Sequence, residues 1–317
     1  MFGLKTRGGT VREGRARRLW YRIVRARYIY LLLLPGILYY IFFHYIPIYG
    51  ITLAFKQFKA NLGIVHSPYV GLRNFEFLMI DQNFFRAFKN TIIISLGRLL
   101  LEFPVPILLA LMFNELRQGR LKRSLQTIYT FPHFLSWVVM GSMLINVFGD
   151  QGVLNAVLNA LGAEKFHIFS DQRLFRPFLF VTNIWKESGW SSIIYLAAIS
   201  AIDVEQYESA EIDGITRGQK MLYITLPGIA STISVMFILA VGNVMNAGFD
   251  QIFILYNGTV LKVADIIDTY IYRITFEGPT DFSFSTAVGL FKSVINFAFL
   301  IGADRITRRV AGHGLFM

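Results

Sequence analysis

The sequence predicts an all-α integral membrane protein with six transmembrane helices, and three observations predict it. Of its 317 residues 54% are hydrophobic and 15% aromatic, and only 16% are charged, whereas an average soluble domain carries about a quarter charged residues. Six apolar runs are long enough to cross a hydrocarbon core, which takes about 20 helical residues. The charge is also segregated. Residues 1–30 hold nine Lys/Arg and one acid, Glu13, a net of +8 within the total of +11, whereas residues 31–317 hold 22 basic and 19 acidic side chains. A basic tail on an apolar body points to a threaded membrane protein with a cytoplasmic N-terminus, not to a nucleic-acid partner.

The chain divides into a basic tail, 1–27, and a transmembrane domain, 28–317. The first span, YIYLLLLPGILYYIFFHYIPIYGITLAF (28–55), exceeds a signal-peptide core, and no small-x-small cleavage site follows it, so it is retained. The second covers 87–113, the third 124–149, the fourth 175–202, the fifth 222–255 and the sixth 284–306. All are read as helices, because a backbone in lipid must satisfy its own hydrogen bonds and these runs are too evenly apolar for barrel strands. Pro35, Pro47, Pro104, Pro106 and Pro132 fall inside them as kinks. With six spans both termini share one side. That side collects 18 Lys/Arg against eight on the other, which makes it cytoplasmic together with the 203–221 loop. The expected location is a bacterial plasma (inner) membrane.

Several chemistries are excluded. There is no Cys, hence no disulfide framework or thiolate metal site. No Gly-Lys dipeptide occurs, so the chain has no phosphate-binding P-loop of its own, and HExxH, GxGxxG and GxSxG are missing too. The five histidines, His44, His66, His133, His167 and His313, show no ligand spacing. No enzyme activity and no cofactor in this chain are expected.

The most informative segment is AIDVEQYESAEIDGITRGQKMLYITLPG (201–228). Asp203, Glu205, Glu208, Glu211 and Asp213 make this cytoplasmic loop acidic where such loops favour Lys/Arg. Val204, Tyr207, Ile212 and Ile215 cluster on one side of a helical wheel, and Gly214 and Gly218 offer a stop and a turn. A docking helix and a solvated acidic connector both fit these residues. Glu208-Ser209-Ala210, then Gly214, Ile224 and Leu226-Pro227, resembles the EAA motif of membrane subunits of binding-protein-dependent ABC importers, with Ser209 where that family usually has Ala. YLLLLPGILYYIFFHYIPIYG, FPHFLSWVV, IWKESGW, KVADIIDTYIYR and FSTAVGLFKSV resemble a carbohydrate-importer branch, nearest to permeases for acidic oligosaccharides such as alginate or pectin fragments, and among these to the first membrane subunit of an alginate importer.

The resemblance implies the type I ABC importer permease fold, with alternating access driven from outside the chain. It implies a second homologous permease, a pair of ATPase subunits carrying ATP and Mg, and an external solute-binding protein. It also implies that the loop residues Glu208, Ser209, Ala210, Asp213, Gly214, Ile224, Leu226 and Pro227 couple to the ATPase: Glu208 makes polar contacts in its cleft, Ala210 and Gly214 permit close approach and the turn, and Leu226-Pro227 fixes entry into the fifth span. An ion-coupled secondary sugar transporter is the rival reading; it commonly carries inverted repeats, and none is visible here.

Polar side chains at membrane depth are costly and face protein or water. Arg98 and Glu102 are four apart and can pair. Lys186 and Glu187, between Trp185 and Trp190, suit either a sugar or a helix-helix bond. Asn243 and Asn246 suit either a pathway wall or interhelical bonding, and Asp250 and Gln251 follow them. Lys292 can attract a uronate carboxylate or pair with an acid on another helix.

Overall fold

The computed structural model of the chain describes residues 20–22, 24–117, 119–278 and 280–311. Most of the expected basic tail, 1–27, and His313 lie outside these residues. Among the described residues the chain is helical, apart from turns and one isolated antiparallel bridge between Lys56 and Tyr69. The helices α1 (Arg27–Phe55) and α2 (Gln82–Glu115) are long and apolar enough to cross a bilayer. The run 124–149 is divided. Its first part is α3 (Arg120–Thr130), followed by a tight turn at Phe131–Phe134. Then α4 (Trp137–Phe148) starts under a cap in which the Ser136 hydroxyl accepts from the Val139 N–H at 3.3 Å. Pro132 has no N–H to continue the ladder, which accounts for the interruption. Extended through the next turn and helix, Trp137–Ala160 is again span-length.

The helix α5 (Gln172–Ser200) has 29 residues, but with Asn183, Lys186, Glu187 and their serine neighbours it is not among the helices apolar enough to count as a span by composition. Then come the short α6 (Val204–Ile212) and a bent pair, α7 (Arg217–Gly228) and α8 (Ala230–Gly242), which meet at 63°. Within α7 a wider π turn at Met221–Thr225 directly precedes Leu226-Pro227, where a regular ladder would need the N–H that Pro227 lacks. The chain continues through α9 (Phe249–Leu255) and α10 (Ile267–Tyr272) to α11 (Phe282–Ala311), whose segment Phe282–Arg309 is span-length. The fold is thus an all-α membrane-spanning bundle. Among the described residues four helices are long and apolar enough to cross, or five if α7 and α8 count as one. Six expected runs do not map onto six uninterrupted helices, because polar residues in α5 and breaks around α8 interrupt the apolar pattern.

Three buried clusters hold the bundle. Ile94, Met140, Phe175, Leu179 and Ile252 join α2, α4, α5 and α9. Phe84, Ile267, Tyr270 and Val288 join α2, α10 and α11. Nearer the 203–221 loop, Ile107, Tyr195, Ile199 and Ile229 join α2, α5 and α8. By contrast, α1 buries nothing before Leu53 and Ala54, and only its last turns pack on α11.

The run 222–255 is broken a second time, between α8 and α9. A tight turn at Val244–Asn246 leads into Ala247 (φ 46°) and Gly248 (φ 77°), both left-handed. Backbone groups freed by such a break need partners from neighbouring elements, and both adjoining helices supply them. The Gly242 carbonyl accepts from Asn296 Nδ2 at 2.6 Å, Asn296 Oδ1 accepts from the Met245 N–H at 3.4 Å, and the Val244 carbonyl accepts from the Ser95 hydroxyl. A Cβ on Gly248 would meet the Arg98 guanidinium and would sit in a left-handed conformation, so glycine is favoured here on two grounds.

Candidate functional site

The break opens onto a cavity of about 430 Å³ between α2, α5 and α8. Its polar wall is formed by Arg98 and Glu102 from α2, Asn183 and Glu187 from α5, and Asn243 and Asn246 from the break. Arg98 and Glu102 lie on one helix face because they are four residues apart, and their side chains approach to 3.8 Å with little exposure. Each also has a partner on another helix. Arg98 donates to Gln251 Oε1 on α9, and the Gln251 amide donates to the Leu179 carbonyl at 2.9 Å and to Thr182 Oγ1 at 2.8 Å. Asn183 donates to Glu102. The pair therefore ties α2, α5 and α9 together and presents its charges to the cavity.

A second cavity, of about 560 Å³, shares Asn246 and Gly248 with the first. Trp137, Phe249, Asp250, Tyr272, Phe276 and Lys292 are among its lining residues. The Lys292 ammonium donates to both Asp268 oxygens, at 2.6 and 2.8 Å, and to Asn246 Oδ1 at 3.2 Å. Of the two readings open for Lys292, an interhelical ion pair is formed, at the edge of a cavity.

The aromatic-flanked group on α5 is separated by helical periodicity. Glu187 faces the first cavity, whereas Trp185, Lys186 and Trp190 line neither cavity. Lys186 is buried, 2.8 Å from Glu187 Oε1 and 3.0 Å from the His133 carbonyl, with its ammonium 5.5 Å from the Trp137 ring centre. The His133 Nδ1 lies 2.7 Å from Glu187 Oε2, and its ring stacks on Trp190 at 4.7 Å between centroids. Trp185 remains 48% exposed. Spacing in the sequence identified Arg98 with Glu102. It could not identify the partners Gln251, Asn183, His133 and Asp268, which come from helices distant in sequence.

At the 203–221 loop, Asp203 caps α6 by accepting from the Glu205 N–H at 3.1 Å. The helix ends in a Schellman turn. The Ile215 N–H donates to the Ala210 carbonyl and the Gly214 N–H to the Glu211 carbonyl, with Gly214 at φ 72°. Thr216 then starts α7 in a reciprocal capping box with Gln219. Ala210 is buried, and Tyr207 meets Thr225 Oγ1 at 2.9 Å, which fastens α6 to α7. Val204 and Ile212 stay exposed, at 64% and 88%, so the expected apolar stripe is split between packing within the loop and an outer face. Glu208, Ser209 and Asp213 are exposed, Ile224 and Leu226 half-buried, and Pro227 exposed. The Lys220 ammonium, hydrogen-bonded to Glu211, holds that carboxyl below the ordinary glutamate value. No group of three or more His, Asp or Glu suited to holding a metal ion occurs among the described residues.

Residues 102–312 match the family model described as binding-protein-dependent transport system inner membrane component. The chain is 42% identical over 293 residues to Protein LplB of Bacillus subtilis (strain 168), covering 92% of each chain. It is 39% identical over 308 residues to the polygalacturonan/rhamnogalacturonan transport system permease protein YteP of the same organism, covering 96% of this chain and 95% of that one. Among solved structures it is similar to a chain from a bacterial alginate ABC transporter in complex with an alginate pentasaccharide-bound periplasmic protein. There the TM-score is 0.86 and the identity 38%, over 94% of this chain and 100% of the other.

Proposed function

The chain belongs to the inner membrane components of binding-protein-dependent transport systems, and from that membership we propose that it is a permease subunit of an ATP-driven importer for an acidic, alginate- or pectin-like oligosaccharide. The observation that carries the proposal is the polar cavity bounded by Arg98, Glu102, Asn183, Glu187, Asn243 and Asn246 inside an otherwise apolar bundle. Ionisable groups at that depth are costly, pair with one another and mark substrate or ion pathways. The YteP and alginate-transporter likenesses support the acidic-saccharide class. In this reading the cavity is one wall of a pathway completed by a second homologous permease, and an external solute-binding protein delivers the sugar. Six crossings, with α5 and the α7–α8–α9 run each counted as one, put both termini and the acidic loop on the cytoplasmic side, in keeping with its excess of Lys/Arg.

The coupling role of the loop belongs to the same proposal. The exposed face of α6, with Glu208, Ser209, Ile212 and Val204, meets an ATPase subunit beneath the bundle, and closure of two such ATPases on ATP moves α6. The capped turn at Gly214, the Glu211–Lys220 pair and the Tyr207–Thr225 contact pass that motion to α7 and on to Leu226-Pro227. Glu187, Asn243 and Asn246 contact the solute; Lys186, Trp185, Trp190 and Lys292 shape the wall or its supports. The test is uptake of labelled oligogalacturonate and oligoalginate into proteoliposomes holding this chain with its second permease and ATPases. Uptake should require the external binding protein and hydrolysable ATP on the ATPase side. Uptake driven by an ion gradient without ATP would refute the reading.

A further inference from the structure

The second cavity is bordered by an aromatic strip that the pathway described above does not use. Phe249 and Phe253 are four residues apart on α9, with ring centres 5.2 Å apart, and Tyr256 follows at 6.2 Å from Phe253. From α10 and the turn after it come Tyr272 and Phe276, also four apart, at 5.3 Å. The two pairs interlock where Phe253 meets Tyr272 edge-on at 4.6 Å. Phe249, Phe253, Tyr256 and Tyr272 are half-buried, and Phe276 is exposed. From Phe249 on α9 to Tyr256 just after it the strip spans seven residue steps, about 10 Å at the helical rise. One end borders a third cavity, of about 480 Å³, lined by Phe253, Tyr256, Asn257, Arg273 and Glu277. The other borders the cavity that shares Asn246 and Gly248 with the central one. The three cavities thus follow the strip and reach the polar wall at the break.

Both cations lining the two outer cavities are already neutralised. Arg273 forms a two-pronged pair with Asp265, at 2.6 and 3.0 Å, and Lys292 pairs with Asp268. A solute there meets aromatic rings bordered by Asp250 and Glu277, acceptor groups that suit hydroxyls rather than carboxylates. Apolar C–H faces of sugar rings stack on aromatic faces, and hydroxyls at the ring edge take the polar partners.

We propose that Tyr256, Phe253, Phe249, Tyr272 and Phe276 form an entry track that binds the ring faces of successive pyranose units of an oligosaccharide and leads the chain to the break at Asn246–Gly248. The track reads ring shape and chain length; charge is read elsewhere. The proposal rests on the oligosaccharide-importer reading. In the reconstituted complex, Phe253→Leu and Tyr272→Leu keep apolar volume but lose the ring face, whereas Phe253→Trp and Tyr272→Phe keep it. The Leu variants should raise KM for uptake about tenfold for a pentasaccharide and less for a disaccharide, with kcat and maximal ATPase rate near wild type, and the aromatic variants should restore KM. Equal KM for Leu and wild type at both chain lengths would overturn the track while leaving the importer reading intact. The same holds for an equal loss in Leu and aromatic variants. Failure of the unsubstituted complex to take up any oligosaccharide with ATP would overturn both.

Discussion

At the scale of single residues, most cost is concentrated in Arg98. It stands on three supports, Glu102, Gln251 and the underside of Gly248. Removing one member of a buried pair leaves an uncompensated charge and costs about 3–5 kcal/mol. Arg98→Met should therefore lower the thermal midpoint of the purified complex markedly. Adding Glu102→Gln should recover part of the loss, and strict additivity of the two losses would mean that they do not act as a pair. Gly214 is a different case: it has open space around it, so its constraint is backbone conformation alone. A β-branched residue in the left-handed region costs roughly 1–2 kcal/mol. Gly214→Val should insert normally but uncouple ATP hydrolysis from uptake, read as ATPase activity no longer stimulated by the loaded binding protein. Glu211 adds a pH dependence. Its carboxyl is held below the ordinary glutamate value by Lys220, so the contact is present above the unfolded value and is lost as pH falls through the lowered folded one. A carboxyl-resolved NMR titration should find Glu211 titrating below the ordinary glutamate value, and Lys220→Met should remove that depression.

At the scale of elements, the break between α8 and α9 is held by one side chain from α11 and two from α2. Asn296 both donates to the Gly242 carbonyl and accepts from the Met245 N–H. Asn296→Leu leaves both without that partner, a cost of about 1–3 kcal/mol for a buried group left unsatisfied. Hydrogen exchange at 242–248 should speed up in that variant, while exchange in α4 should not change. The sequence carried only part of this element. Apolar length marked 222–255, and Gly242, Asn246 and Gly248 are weak local turn signals within it, but a left-handed Ala247 is not among them and depends on Arg98, Ser95 and Asn296 arriving from elsewhere. The interruption after α3 was more legible, since Pro132 is there to be read, although in a lipid-facing run a proline signals a kink as readily as a stop. The helix–turn–helix of the 203–221 loop was readable because its caps are local: Asp203, Gly214 and Thr216 act within a few residues of themselves. The cavity walls were not, because they join helices more than 80 residues apart, as in Asn183 with Glu102.

At the scale of the whole molecule, the three buried clusters lie among α2, α4, α5 and α8 to α11, and the first 22 residues of α1 contribute nothing to them. A chain beginning at Tyr49 keeps the packing of Leu53 and Ala54, so its proteolytic pattern in detergent should match that of the full chain across α2 to α11. New cleavage within α5 would contradict that division. The stacking of Trp190 on His133 and the placing of the Lys186 ammonium over Trp137 have an optical consequence. The chain has four tryptophans, and two of them lie against groups that quench indole emission by electron or proton transfer. Both contacts meet at Glu187, on the cavity wall. A rearrangement that separates α4 from α5 there changes the surroundings of both indoles, so intrinsic fluorescence should report on that wall without an added dye.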